Sequence, residues 1–272
     1  MEFYKYEATG NDFILVDFCG GWNAADVGIW LDVLKDSAPR LCDRHFGIGA
    51  DGIIVLAPSS YGFAYMHIIN ADGSMATMCG NGIRCAARYL YKRRFFNPNE
   101  TLFIDTAGGL QALRFIEGDA ECSMIDVHMA RATVVNTCVL LHQNEAYEGT
   151  IIDAGNPHVV FEVENPRLSL EKSGAFLSNH PEFPDRTNVE FIAEIAPNVI
   201  DFAVYERGVG PTLSCGTGCV AAALAYAKKR QILRGIIEIH APGGELYVVL
   251  ENDEVHLQGP ATFVFSGQWD DK

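Results

Sequence analysis

The sequence predicts an α/β protein made of two pseudo-symmetric domains that arose by internal duplication. Three observations carry this. Two Cys-Gly-x-Gly turns, "CGNG" at 79–82 and "CGTG" at 215–218, occur in one chain. Each follows an apolar, β-prone run, "YMHIIN" (65–70) in one half and "DFAVYE" (201–206) in the other. Each precedes an Ala-rich stretch that ends in Lys and Arg, as suits a helix C-terminus and its dipole.

The matches extend along the chain in the same order. Setting Cys79 on Cys215 without gaps puts Gly80 on Gly216, Gly82 on Gly218, Ala86-Ala87 on Ala222-Ala223, and Asn70 on Glu206. Upstream, "ATGNDFILV" (8–16) resembles "DAGNPHVVF" (153–161), pairing Asn11 with Asn156 and Phe13 with His158. Downstream, "TAGGLQAL" (106–113) resembles "APGGELYV" (241–248). Two long copies are too few for a solenoid and read as two similar domains facing one another.

Between these blocks, "LKDSAPRLCDRHF" (34–46) reads as helical and "IIVLAP" (53–58) as a strand. Further short strands are "TLFIDTA", "CSMIDVHM", "TCVLLHQ", "IIEIHA", "ELYVVLE", "VHLQG" and "TFVFSG". "CSMIDVHM" and "TCVLLHQ" precede the start of the second copy. The domains are therefore set at 1–117 plus 261–272, and at 118–260.

Composition excludes several classes. With 49% hydrophobic residues the 272-residue chain can fill a core without a disulfide framework or structural metal. A formal net charge of -15 disfavours nucleic acid and anionic membranes as partners. The start "MEFYKYEATGNDFILVD" lacks the basic, then apolar, pattern of a secretory signal, and no apolar run is long enough to span a bilayer. The expectation is a cytoplasmic protein whose eight cysteines are reduced.

Familiar motifs are weighed and set aside. "GIGADG" (47–52) fits the dinucleotide fingerprint, but a helix precedes it and a strand follows, the reverse of what that site needs. Cys79 and Cys85, or Cys215 and Cys219, lack zinc-knuckle spacing, and no metal is assigned. Cys19, Cys42, Cys122 and Cys138 have no suggestive neighbours and are read as packing or surface residues.

Cys79 and Cys215 differ from the rest. A thiol at a helix N-terminus sits among backbone N–H groups and the dipole, which favour the thiolate and can also hold a carboxylate. Two such turns on opposite sides of a carbon would let one sulfur remove the α-proton and the other deliver a proton to the opposite face. The helix termini would stabilise the charge that develops on the carboxylate.

These residues resemble the diaminopimelate epimerases, within the cofactor-independent amino-acid racemases. The likeness runs nearly end to end: "GNDF" (10–13), "RHFGIGADG" (44–52), "NADGSMATMCGNGIRCAAR" (70–88), "GNPH" (155–158), "RTNVEF" (186–191), "YERGVGPTLSCGTG" (205–218), "PGG" (242–244) and "GPA" (259–261). The resemblance implies a barrel-like mixed sheet around a central helix in each domain, with the active site in the interdomain cleft. It implies interconversion of LL- and meso-diaminopimelate, for lysine and peptidoglycan precursors, without pyridoxal phosphate or metal. Cys79 and Cys215 are the implied base and acid, and His158 and Glu206 lie beside the reacting centre. By the same resemblance, the N–H groups of Gly80-Asn81 and Gly216-Thr217 are expected to hold the reacting carboxylate. The resemblance implies that Asn11, Asn70, Asn156, Asn188 and Arg207 bind the substrate, chiefly its distal end. A homodimer is implied as well.

The chain departs from the family at Glu7-Ala8-Thr9, where a histidine usually opens the glycine turn, and at Cys219, one position earlier than usual. Two rival readings stay open. One is a proline racemase-like enzyme of the same fold, against which Asn81 and Arg207 argue. The other is a thiol-switch protein in which Cys79 and Cys215 form a disulfide.

Overall fold

In the computed structural model, residues 1–94, 96–119, 122–129, 132–143, 145–251 and 254–270 are described. The chain divides into two units, Met1–Val127 with Gly259–Lys272, and His128–Gln258. Sequence patterning sets the first division at 117. The structure divides after Val127 instead, because the next strand pairs back onto the first unit, and the second division falls after Gln258 rather than at 260.

The first unit contains β1 (Glu2–Ala8), β2 (Asn11–Asp17), α1 (Ala24–Leu41), β3 (Gly52–Ala57), β4 (Ala64–Asn70), β5 (Met75–Ala76), α2 (Gly80–Arg93), β6 (Leu102–Thr106), β7 (Gln111–Gly118) and β8 (Cys122–His128). β1 pairs antiparallel with β2, β2 runs parallel to β3, and β3 pairs antiparallel with β4. From there β4 runs parallel to β6, and β6–β7–β8 is an antiparallel meander. A last strand, Glu254–Gln268, pairs with both β1 and β8 and closes the ring.

Helix α2 is buried from Gly80 to Tyr91, with no solvent face over that span. A helix enclosed on all sides is a core element, and here small residues at Gly82, Ala86 and Ala87 keep it slim. Its buried Arg84 bonds the carbonyls of Gly80 and Pro260 and the Thr9 hydroxyl, so the guanidinium is not left unsatisfied. Helix α1 covers the outside, capped by Asn23, which accepts from the N–H groups of Ala25 and Asp26. It ends at Leu41, short of the helical reading to 46, where Asp43 draws His45 and Phe46 into a turn.

The second unit repeats the plan with β9 (Thr133–His142), β10 (Glu145–Asp153), β11 (Pro157–Glu162), α3 (Pro166–Ser178), β12 (Asn188–Ala196), β13 (Val199–Glu206), β14 (Gly210–Thr212), α4 (Gly216–Arg230), β15 (Gly235–Ala241), β16 (Gly244–Glu251) and β17 (Glu254–Gln268). The pairings β10–β11, β11–β12, β12–β13, β13–β15 and β15–β16 match those of the first unit in sense and order. The register agrees too. Asn70 opposes Gly52 across β3–β4, and Glu206 is the residue after Tyr205, which opposes Val189 across β12–β13. The sequence pairing of Asn70 with Glu206 is thus also a pairing in strand register. "VHLQG" and "TFVFSG", expected as two strands, form the single long β17, which runs on through Gly259-Pro260.

Candidate active site

The first unit assembles its candidate residues at the N-terminus of α2. Cys79 is the N-cap, in an extended conformation, and its sulfur accepts the Gly82 N–H at 3.4 Å. Its thiol also donates to Asn11 Oδ1 at 3.6 Å. Asn11 in turn donates through Nδ2 to Asp51 at 2.8 Å. Asp51 and Asp12 are tied together by Arg44, which bonds Asp12 with both terminal nitrogens and Asp51 with one. Lys5 adds a 2.7 Å ion pair to Asp12. Arg44 and Asp51 of the motif "RHFGIGADG" therefore hold the Asn11 loop in place. Where the family histidine is missing, the Glu7 carboxylate accepts the Gly10 N–H and closes the turn, with Thr9 and Gly10 at φ 47 and 81.

Gly80 and Asn81 form the first turn of α2, and both are buried. Asn70 is exposed at the end of β4 and donates to the Ser74 hydroxyl at 2.9 Å.

The second unit places Cys215 as the N-cap of α4, with the same 3.4 Å contact, here from the Gly218 N–H. Thr217 Oγ1 lies 3.5 Å from its sulfur. Cys215 is 8% exposed, and its thiol is pushed well up by burial and then by the carboxylates of Glu206 and Glu190. A helix N-terminus predicts the opposite direction. At this site lost hydration and two nearby carboxylates outweigh the donors in the turn, and Cys215 is a thiol at neutral pH.

Beneath Cys215, His158 is completely buried. Its Nδ1 lies 2.7 Å from Glu190 Oε1 and its Nε2 lies 2.9 Å from Asn156 Oδ1. Both ring nitrogens are thus engaged. Glu206 accepts the Thr212 hydroxyl at 2.5 Å. Asn188 is buried with both amide ends used, donating to the Pro157 carbonyl and accepting the Arg207 N–H. It positions Arg207, whose exposed guanidinium donates to the Asp185 carbonyl at 3.3 Å.

The sequence profile of the diaminopimelate epimerase family matches residues 3–135 and 150–264. The chain belongs to the diaminopimelate epimerase family. It is 37% identical over 283 residues to the diaminopimelate epimerase of Desulfitobacterium hafniense, covering 98% of this chain and 97% of that one. It is 38% identical over 282 residues to that of Elusimicrobium minutum, covering 98% of each. Among solved structures, a phenazine biosynthesis protein of the PhzF family from Bacillus anthracis matches with TM-score 0.74 at 14% identity, over 98% of each chain. A probable proline racemase from Agrobacterium radiobacter matches with TM-score 0.72 at 17% identity, over 99% of this chain and 92% of that one. Those two share the fold.

Three residues that bond the candidate side chains were not singled out from the sequence. Glu190 lies inside the quoted "RTNVEF", and Arg44 and Asp51 inside "RHFGIGADG". Glu190 sits between the apolar Val189 and Phe191 in β12, and no motif marked it out. All eight cysteines are free thiols, Cys79 and Cys215 among them. No helix among the described residues is long and apolar enough to cross a membrane.

Proposed function

We propose that this chain is a diaminopimelate epimerase that inverts one α-carbon of 2,6-diaminopimelate, LL to meso and back, using Cys79 and Cys215 as a two-base pair. The observation that carries this is the matched pair of cysteine N-caps. Each sulfur sits over the first turn of a buried helix with its i+3 amide at 3.4 Å, in a chain of this family.

One thiolate takes the α-proton: the Cα–H bond breaks and an S–H bond forms. The electron pair spreads into the carboxylate, which the N–H groups of Gly80-Asn81 and Gly216-Thr217 hold and stabilise. The opposite thiol then gives its proton to the other face and becomes the thiolate, so the enzyme ends set for the reverse direction. Each sulfur is the base for the isomer whose α-hydrogen it faces and the acid for the other.

Asn11, Asn70, Asn156 and Arg207 recognise the rest of the substrate, and Asn188 acts by holding Arg207. Glu206 faces Cys215 electrostatically and suits the substrate ammonium. The meso product supplies lysine and peptidoglycan precursor synthesis. The working form we propose is a cytoplasmic homodimer that needs no added cofactor.

The test is incubation of the reduced protein with LL-diaminopimelate, and separately with L-proline, followed by chiral chromatography. The expected result is meso-diaminopimelate with no D-proline, unaffected by chelator. Proline racemisation, or no turnover of either substrate under reducing conditions, would overturn the proposal.

A further inference from the structure

Below the first turn of α4 the second unit carries a buried ionisable pair where the first unit carries an apolar one. Strand register sets the correspondence. His158 pairs with Asn188, and Glu190 follows two residues on along β12. Phe13 pairs with Gly52, and Ile54 follows two residues on along β3. All four side chains are buried. Each pair underlies the equivalent glycine, since a Cβ on Gly82 would meet Ile54 and Phe13, and a Cβ on Gly218 would meet Glu190.

The scaffold therefore stands with Phe13 and Ile54 at this position. A buried ion pair contributes little net stability over an apolar pair of similar size. Folding does not call for His158 and Glu190, and their role lies in what they touch.

The direction of the Asn156 amide counts the protons. Its carbonyl oxygen lies 2.9 Å from His158 Nε2, and an amide oxygen can only accept, so this contact is a hydrogen bond when Nε2 carries the hydrogen. A second hydrogen lies in the 2.7 Å contact between Nδ1 and Glu190 Oε1. With two protons the pair is neutral overall. Neutrality fits its surroundings: Glu190 Oε2 has no partner among the described residues, and burial pushes that carboxyl up. Asn156, held by its carbonyl, keeps its NH₂ free of any protein acceptor among the described residues.

We infer that Glu190 is a positioning residue for substrate recognition: it fixes the proton arrangement of His158, which pins the Asn156 carbonyl and turns the amide NH₂ toward a carboxylate oxygen of the substrate. With the pair short of one proton, Nε2 would accept instead, and the amide would turn round to offer its oxygen. This inference rests on the epimerase reading, in which Asn156 is a substrate ligand.

Two variants and one spectrum test it in the full-length chain. Glu190→Gln offers an NH₂ to Nδ1, preserves the hydrogen on Nε2, and is expected to keep KM for diaminopimelate close to that of the unaltered enzyme. Glu190→Ala removes the partner and is expected to raise KM about tenfold, the scale of one lost buried hydrogen bond. In ¹⁵N-histidine NMR of the ligand-free protein, the signal absent from His158→Gln should show a protonated Nε2, retained in Glu190→Gln. A bare Nε2 overturns the inference whatever the kinetics. So does a Glu190→Gln loss as large as that of Glu190→Ala, or an unchanged KM in Glu190→Ala. If the alanine variant does not fold, the glutamine variant and the spectrum decide. Failure of the unaltered chain to epimerise would sink the functional reading and leave the spectrum standing.

Discussion

Gly218 and Glu190 touch so closely that no side chain fits between them. A Cβ on Gly218 would stand 2.8 Å from Glu190 Oε1 and 3.2 Å from the Cys215 Cβ. The equivalent Cβ on Gly82 would meet Ile54 and Phe13 at 3.4 Å, an ordinary contact. Matching alanines should therefore behave differently. Gly218→Ala should cost about 1–3 kcal/mol and displace Cys215, with a large loss of turnover. Gly82→Ala should stay within about 1 kcal/mol of the parent, because alanine favours the helix. Urea melts and kcat for the two variants check this, and equal losses would refute the asymmetry.

The two thiols should also differ in reactivity. Cys79 is half-buried, whereas Cys215 is buried beside two carboxylates that, after burial itself, hold its thiol protonated. Iodoacetamide at pH 8 attacks thiolates. In the ligand-free protein it should modify Cys79 well before Cys215, as read by mass spectrometry of the two peptides. Labelling of Cys215 first would contradict the description of its surroundings.

Asp12 predicts a specific acid limb. Burial pushes its carboxyl up, but bonds from Arg44 and Lys5 prevail and bring it down to about 2 from an ordinary 3.8. A carboxylate lowered in the folded state adds stability that is fully present above its unfolded pKa and is lost as pH falls through the folded one. The window is therefore pH 4 to 2, and the contribution is roughly 2 kcal/mol. Asp12→Asn should be less stable than the parent at pH 7, with the gap closing below pH 4. A gap that stays constant down to pH 2 would show that the carboxylate charge is not what Lys5 and Arg44 hold.

The duplicated plan was legible because paired glycine turns and their flanking strands repeat in order. The N-cap positions of Cys79 and Cys215 follow from a cysteine placed directly before a Gly-x-Gly that opens a helix. What the patterns did not reveal is the chemistry below the turns. Glu190 hides in a strand whose neighbours are apolar, and only strand register shows that it replaces Ile54. The direction in which the Cys215 thiol shifts was also beyond local reasoning, since burial depends on the tertiary fold and Glu206 and Glu190 come from other strands. The bonds that hold Asn188 in place, to the Pro157 carbonyl and from the Arg207 N–H, likewise come from segments distant in sequence.

The most direct test of the two-thiol account is deuterium content in the first meso-diaminopimelate formed from the LL isomer by the reduced enzyme in D₂O. With separate base and acid, the delivering thiol carries a solvent-derived deuteron. The account predicts one deuterium at the inverted carbon of essentially every product molecule, and no product from Cys79→Ala or Cys215→Ala. Product that keeps its original protium at that carbon, or near-normal turnover in either single variant, would contradict it.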